Sequence, residues 1–183
     1  TLSVSEQTML DYVEGFYQQN PDRLSDRPSV AVAFFPSEEH VSKIIELSFS
    51  YPRKAEEEKA RLEQIENAVS GMMDTWENLS SPEYALLCCK ALVEQATVQE
   101  SGSTAYDALV AHADSEGFAM AYRLLCSRSD VSCQVVEGKK NGRSHYWNIL
   151  KLGQDYYHVD CSACGDGTLC FLLPDEALLG EYW

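Results

Sequence analysis

Apolar residues recur every three or four positions through much of the first part of the chain. The longest such run extends from about Arg53 to Leu79, and charged side chains occupy its opposite face. Shorter runs of the same kind cover residues 7–18, residues 81–97 and the stretch that begins near Ser115. Because this spacing places apolar side chains on one face of an α-helix, we predict a helix in each segment.

A different pattern interrupts these helices after residue 29. Val30–Phe35 is a continuous apolar run that ends at Pro36, which is typical of a buried strand. Ser37 then precedes two glutamates, and the apolar residues that follow at helical spacing are Val41, Ile44, Ile45 and Leu47. Serine is a preferred N-cap and acidic residues favour the positive end of a helix, so we predict a further helix after Ser37.

After residue 130 the pattern changes to that of strands. Residues 131–136, 144–152 and 156–161 are rich in apolar and β-branched residues, with polar residues between them. Asn141-Gly142 separates the first two segments and Gly153-Gln154 the last two, and such pairs favour hairpin turns. We therefore predict an antiparallel sheet in this part of the chain.

Helices followed by antiparallel strands indicate an α+β fold. The 183 residues suffice for one domain of ordinary size with an extension at its N-terminal side. We predict a helical lead-in over residues 1–80 that packs on a core over residues 81–183.

The second hairpin brings a histidine close to a carboxylate. If Gly153-Gln154 is the turn, Leu152 pairs with Asp155, and counting back along both strands places His145 diagonal to Asp160 on one face. Diagonal side chains have Cβ atoms about 7–8 Å apart or less, within reach of a His–carboxylate hydrogen bond. Such a bond holds an imidazole in one tautomer, as a general base requires.

Ser115 is the candidate nucleophile of this arrangement. It lies at the predicted start of a helix, where unpaired N–H groups and the helix dipole favour an anion. An equally weighted alternative is that Ser115 is only the N-cap of that helix. The segment lacks the first glycine of Gly-x-Ser-x-Gly, since Ala113 stands there, and an α/β-hydrolase elbow is disfavoured.

Several motifs together resemble the transglutaminase-like family. Ser115–Ala119 reads Ser-Glu-Gly-Phe-Ala and resembles the family's Cys-Glu-Gly-Tyr-Ala. His145–Ile149 resembles its His-x-Trp-Asn strand, and Tyr156–Asp160 is similar to its Trp-Tyr-His-Val-Asp strand. Cys170–Glu176 resembles an ending seen in bacterial members. The motifs occur in the family's order and cover roughly residues 80–180.

The resemblance implies a papain-like α+β core and acyl-transfer or amide-hydrolysis chemistry. Transferred by motif, the roles are nucleophile for Ser115, general base and acid for His145, and orienting carboxylate for Asp160. The family's nucleophile is a cysteine, whose thiol ionises far more readily than a serine hydroxyl. We therefore expect an inactive or weakly active domain, and we expect no cofactor and no metal.

Two explanations of Ser115 remain open, namely an introduced Cys→Ser change and a natural serine. We favour a natural loss or near-loss of catalysis, and a non-catalytic peptide- or glycan-binding module is the alternative function. The expected partner is a peptide or protein, with cell-wall peptide or glycan as further candidates. The resemblance slightly favours an exported or cell-surface location, which the residues themselves leave open.

The charge of the chain disfavours other classes of partner. Acidic residues outnumber basic ones by 29 to 14, and the net charge of −15 repels nucleic acid and anionic lipid surfaces. No apolar run approaches the roughly 20 residues that span a bilayer, so we expect no membrane insertion.

A Cys-x-x-Cys pair at Cys161 and Cys164, with Cys170 nearby, has metal-ligand or redox spacing. Structural zinc sites usually combine two such pairs, and the second pair is missing. Zinc, a disulfide and plain thiols all remain possible, and we favour plain thiols. For His158, which lies in the same strand motif as Asp160, we predict a structural hydrogen bond.

Overall fold

The computed structural model of the protein describes residues 4–36, 43–165 and 170–183. The helices in these ranges are α1 (Glu6–Gln19), α2 (Ala55–Met73), α3 (Ser81–Gln95), α4 (Ala105–Val110), α5 (Ser115–Cys126) and α6 (Asp175–Leu178). The strands are β1 (Ser29–Pro36), β2 (Lys43–Ser50), β3 (Thr97–Val98), β4 (His112–Ala113), β5 (Ser132–Lys140), β6 (Arg143–Leu152) and β7 (Asp155–Val159). A short 3₁₀ turn, Cys161–Ala163, follows β7.

Helix α5 lies at the centre of the core. All of its residues after Ser115 except Arg123 are buried, and apart from Glu116 the buried ones are apolar or have only a hydroxyl or thiol. Helices α3 and α4 and strands β5 and β6 pack around it. The Tyr122 hydroxyl donates to the Ala85 carbonyl of α3 at 3.0 Å, and the Asn148 side-chain amide donates to the Ala119 carbonyl at 2.9 Å. These two bonds fix α5 between a helix and the sheet.

The sheet beside α5 is antiparallel, in the order β5-β6-β7. Asn141 and Gly142 both have positive φ, 51° and 79°, which the tight turn between β5 and β6 requires. Leu152 pairs with Asp155 across the second turn. The three predicted strands, both turns and the register of the second hairpin are therefore confirmed, except that the third strand ends at Val159 and Cys161 begins a 3₁₀ turn.

The N-terminal part contains a β-hairpin that the sequence pattern only half predicted. Strand β1 was expected, but not its exposure: every residue of β1 is exposed or half-buried, so the predicted burial is wrong. Residues 43–50 form β2, its antiparallel partner, with Phe34 opposite Ile45 and Val32 opposite Leu47. The helix predicted after Ser37 is wrong, and Ser37 itself lies outside the described residues. Short apolar runs suit both helix and strand, and here pairing with β1 decides the outcome.

Polar contacts attach α1 and the following loop to the core. The Gln18 amide donates to the Glu116 carboxylate at 3.0 Å. The Gln19 side chain exchanges two hydrogen bonds with the backbone of Val135 in β5, at 2.9 and 3.1 Å. Arg27 forms an ion pair with Glu116, one residue after Ser115. These contacts join α1 and Arg27 to α5 and β5, while the division of the chain into a lead-in and a core at residue 80 stays a prediction.

Candidate active site

Ser115 is the first residue of α5, and Asp114 is the N-cap. The Asp114 carboxylate accepts hydrogen bonds from the backbone N–H groups of Glu116 at 3.0 Å and Gly117 at 3.1 Å. The alternative interpretation of Ser115 as the cap is therefore wrong. Its hydroxyl oxygen accepts a hydrogen bond from the backbone N–H of Tyr146 at 3.2 Å, and the Ser115 side chain thus faces strand β6.

A glycine in the first turn of α5 allows this placement. A Cβ atom on Gly117 would lie 2.5 Å from the Gly102 carbonyl oxygen and 2.6 Å from the Ala113 Cβ, far inside normal contact distances. The same Gly102 carbonyl accepts a hydrogen bond from the Asp114 N–H at 3.2 Å. The loop at Gly102 therefore lies directly against the start of the helix and holds Ser115 in position.

His145 and Asp160 form the diagonal pair that the hairpin register predicted. The distance between His145 Nε2 and Asp160 Oδ2 is 2.7 Å, and the Asp160 side chain is buried. Burial acts to raise the pKa of Asp160, but hydrogen bonds from His145, Ser162 and Tyr182 outweigh it and lower the pKa to about 2. An ionised carboxylate can only accept, so His145 Nε2 carries a proton and, in the neutral ring, Nδ1 holds the lone pair.

Besides the backbone N–H of Ala163, which donates to Oδ1 at 3.1 Å, three further side chains hold the Asp160 carboxylate. The Ser162 hydroxyl donates to Oδ1 at 2.7 Å, and the Tyr182 hydroxyl donates to Oδ2 at 2.7 Å. The Lys140 ammonium lies 3.4 Å from Oδ2. None of these three partners was predicted from the sequence. The position of Ser162 two residues after Asp160 was a local indication, since such neighbours often bond, whereas Tyr182 carries no motif.

A cleft of about 680 Å³ opens beside Ser115 and His145, both of which are half-buried. Its remaining lining comprises Val98, Gln99, Glu100, Asp114, Lys140, Asn141, Arg143, Ser144, Tyr146, Ser162 and Ala163. The two cations belong to the β5–β6 hairpin, whereas Glu100 and Asp114 lie before and at the start of α5. A polar group of a ligand can thus reach both Ser115 and His145 from solvent.

Other residues of the matched motifs support the sheet. Trp147 is buried and donates its indole N–H to His158 Nδ1 at 2.9 Å. His158 Nε2 lies 3.0 Å from the Asp175 carboxylate, so His158 makes the structural hydrogen bonds predicted for it. Asn148 is fully buried and ties β6 to α5 through its bond to Ala119. These residues fix the strand that carries His145.

All seven cysteines are free thiols. The Cys89 sulfur lies 3.4 Å from that of Cys161 and 3.9 Å from that of Cys164. Hydrogen bonding to Cys161 and burial raise the pKa of Cys89, and burial raises the pKa of Cys161 to about 11. Such thiols are poorly ionised and packed into the core.

Among the described residues, no group of three or more His, Cys, Asp or Glu side chains is arranged to hold a metal ion. In the same part of the chain, none of the helices has both the length and the apolar character needed to cross a bilayer.

Comparison with known proteins identifies the fold. No family model matches the sequence, and no curated protein matches it significantly. A crystal structure of a transglutaminase (TGase) matches 92% of this chain with a TM-score of 0.52 and 10% sequence identity. This chain spans 50% of the length of that protein. A candidate cysteine protease from Cytophaga hutchinsonii matches with a TM-score of 0.44 and 12% identity, over 88% of this chain and 74% of its own. The likeness to the transglutaminase shows that this chain has the transglutaminase-like, papain-like α+β fold.

Proposed function

We propose that the chain is a transglutaminase-like domain of the Cys-His-Asp acyl-transfer and amide-hydrolysis class, with Ser115 at the nucleophile position. The observation that carries the proposal is the His145–Asp160 hydrogen bond of 2.7 Å beside a hydroxyl at a helix start, in an open cleft. Peptide or protein amides are the substrates that this chemistry fits, with cell-wall peptides as a narrower candidate.

In this proposal the three residues act in sequence. The residue at position 115 attacks the carbonyl carbon, and its proton passes to His145 Nδ1, the ring atom that the bond to Asp160 leaves with a lone pair. His145 then returns that proton to the leaving amine, and water or another amine releases the acyl group. The first N–H groups of a helix have no intrahelical acceptor, and that of Ser115 is suited to stabilise the developing oxyanion.

The serine makes this reaction weak or absent in the chain as it stands. A thiol of ordinary pKa of about 8.5 becomes a thiolate beside an imidazolium, whereas a hydroxyl loses its proton only during attack. The Asp114 carboxylate caps the same helix and adds a negative charge next to the nucleophile. Both features disfavour an anion at position 115.

A non-catalytic binding module is the second candidate. It is favoured by the partner of the Ser115 hydroxyl: Oγ accepts from the Tyr146 N–H at 3.2 Å, and among the described residues it makes no hydrogen bond with His145. In that case the cleft would bind a peptide or glycan and leave it unchanged.

Acylation separates the two candidates. The protein and its Ser115→Cys and Ser115→Ala variants are incubated with p-nitrophenyl acetate and analysed by peptide mass spectrometry. The catalytic proposal predicts an acetyl group at position 115 in the Ser115→Cys variant, much less in the parent, and none in Ser115→Ala. Absence of acylation at position 115 in the Ser115→Cys variant, with the variant folded, would contradict it and favour the binding module.

A further inference from the structure

The segment Glu181–Trp183 runs antiparallel along the outer edge of β5. The Asn141 N–H donates to the Glu181 carbonyl at 2.7 Å, and Lys139 and Trp183 exchange two backbone hydrogen bonds at 2.9 and 2.8 Å. Tyr182 therefore pairs with Lys140. Gly180, with φ of 93°, turns the chain into this position.

This pairing directs the Tyr182 side chain towards the His145–Asp160 pair. Its hydroxyl donates at 2.7 Å to Asp160 Oδ2, the same oxygen that accepts from His145. Burial and the Asp160 charge raise the pKa of Tyr182, so the hydroxyl keeps the proton that it donates. Together with Ser162 on the other oxygen, Tyr182 fixes the plane of the carboxylate.

The Tyr182 ring also contacts the imidazole. Its centroid lies 5.9 Å from that of His145 at an interplanar angle of 72°, and 5.3 Å from that of Trp147 at 75°. His145 and Trp147 are nearly parallel, with an angle of 22°. Edge-to-face contacts at these distances are favourable, and here Tyr182 packs against both His145 and Trp147, so that the three rings form one cluster.

We propose that Tyr182 is a positioning residue: its hydroxyl fixes Asp160 while its ring fixes the orientation of the His145 imidazole. As a role in catalysis this rests on the proposed function, but the effect on His145 is independent of the residue at position 115. The effects of the hydroxyl and of the ring can be measured separately, because Tyr182→Phe removes only the hydroxyl, whereas Tyr182→Leu removes both. Tyr156→Phe is the matched control, since Tyr156 lies on β7 and is largely exposed.

The direct test is NMR of histidine-labelled protein with Ser115 in place. The His145 proton on Nε2 should exchange with water about tenfold faster in Tyr182→Phe than in the parent, because the Asp160 carboxylate that accepts it loses the bond that orients it; tenfold is the scale of one hydrogen bond to a charged group. It should exchange faster still in Tyr182→Leu and be unchanged in Tyr156→Phe. Parent-like exchange in a folded Tyr182→Phe protein would overturn the proposal, whether or not Tyr182→Leu folds.

A second test uses the Ser115→Cys background, in which Tyr182→Phe should slow iodoacetamide alkylation of the new thiol about tenfold. An unchanged rate in a reactive background would also overturn the role of Tyr182. If the Ser115→Cys thiol is itself unreactive, the proposed function fails, and the NMR result alone decides whether Tyr182 positions His145.

Discussion

Asp114 caps the helix on which Ser115 is the first residue, and its carboxylate accepts from the N–H groups of the next two residues. The cap leaves the Ser115 side chain free to face β6, but it also places a negative charge beside the proposed nucleophile. Its second oxygen accepts from the Ser103 hydroxyl at 2.5 Å. Helix formation and nucleophile activation therefore make opposite demands on Asp114.

Because Asp114 caps the helix but its charge opposes an anion at position 115, Asp114→Asn should make the thiol of the Ser115→Cys variant more reactive. Asparagine caps a helix as well as aspartate does, so the fold should be retained while the charge is lost. The pH midpoint of thiol alkylation should fall by roughly 0.5–1 pH unit, because a negative charge near the thiolate has been removed. Asp155→Asn, the same change at an exposed residue of β7, should leave the midpoint unmoved. If Ser115→Cys has the same midpoint alone, with Asp114→Asn and with Asp155→Asn, the charge of Asp114 does not oppose ionisation of the thiol, and the prediction is wrong.

Gly117→Ala should lower the free energy of unfolding by about 1–3 kcal/mol, the usual cost of forcing an extra carbon into a packed site. The added Cβ would overlap the Gly102 carbonyl and Ala113. Gly71→Ala is the matched control, because a Cβ at Gly71 in α2 meets nothing within 4 Å. That change should stabilise by about 0.5–1 kcal/mol through helix propensity. Urea unfolding of both variants measures the contrast, and equal effects would rule out the close contact.

The Arg27–Glu116 ion pair should contribute to the docking of the N-terminal segment. The Glu116 side chain is only 10% exposed, so Arg27→Met leaves a mostly buried carboxylate without its cation. Breaking such a pair costs about 3 kcal/mol, and adding Glu116→Gln should recover part of that loss. Lys59→Ala, which breaks an exposed pair with Glu63, should change stability by less than about 1 kcal/mol. If urea unfolding shows similar losses of unfolding free energy for Arg27→Met and Lys59→Ala, the buried Arg27–Glu116 pair does not stabilise the docking of the N-terminal segment.

Because the pKa of Asp160 is lowered in the folded protein, the stability of the protein should depend on pH. This pKa is about 2 in the folded protein and 3.8 in an unperturbed carboxyl, so the unfolded chain binds more protons between these values. The stability that the ionised Asp160 contributes is thus complete above about pH 5 and is lost as the pH falls towards 2. The difference in unfolding free energy between the parent and Asp160→Asn should shrink by about 2 kcal/mol between pH 6 and pH 2. A difference that stays constant over this range would contradict the lowered pKa.

The hairpin that holds His145 and Asp160 was predictable because its geometry is local. The Gly153-Gln154 turn sets the pairing of Leu152 with Asp155, and every other pair on β6 and β7 follows from it. The long amphipathic pattern in α2 was predictable for the same reason, since a repeated face specifies a helix without knowledge of its partners.

Features that depend on distant parts of the chain were not predictable. Strand β2 has apolar residues at spacings that a helix also uses, and only its pairing with β1 decides between the two. Tyr182 reaches Asp160 because Glu181–Trp183 pairs with β5 across about forty residues of sequence, and no local motif indicates that pairing. The cap at Asp114 was missed because Ser and Asp are both good N-caps and stand side by side.

The central claim is tested most directly by the pH dependence of iodoacetamide alkylation in Ser115→Cys and in Ser115→Cys with His145→Ala. The native cysteines are largely buried, and those that contact Cys89 have raised pKa values, so the new thiol should react first. We predict fast alkylation near neutral pH in the single variant, and a reaction at least about tenfold slower, shifted to higher pH, when His145 is removed. Identical pH profiles with and without His145 would show that the imidazole does not act on position 115, and the account would be wrong.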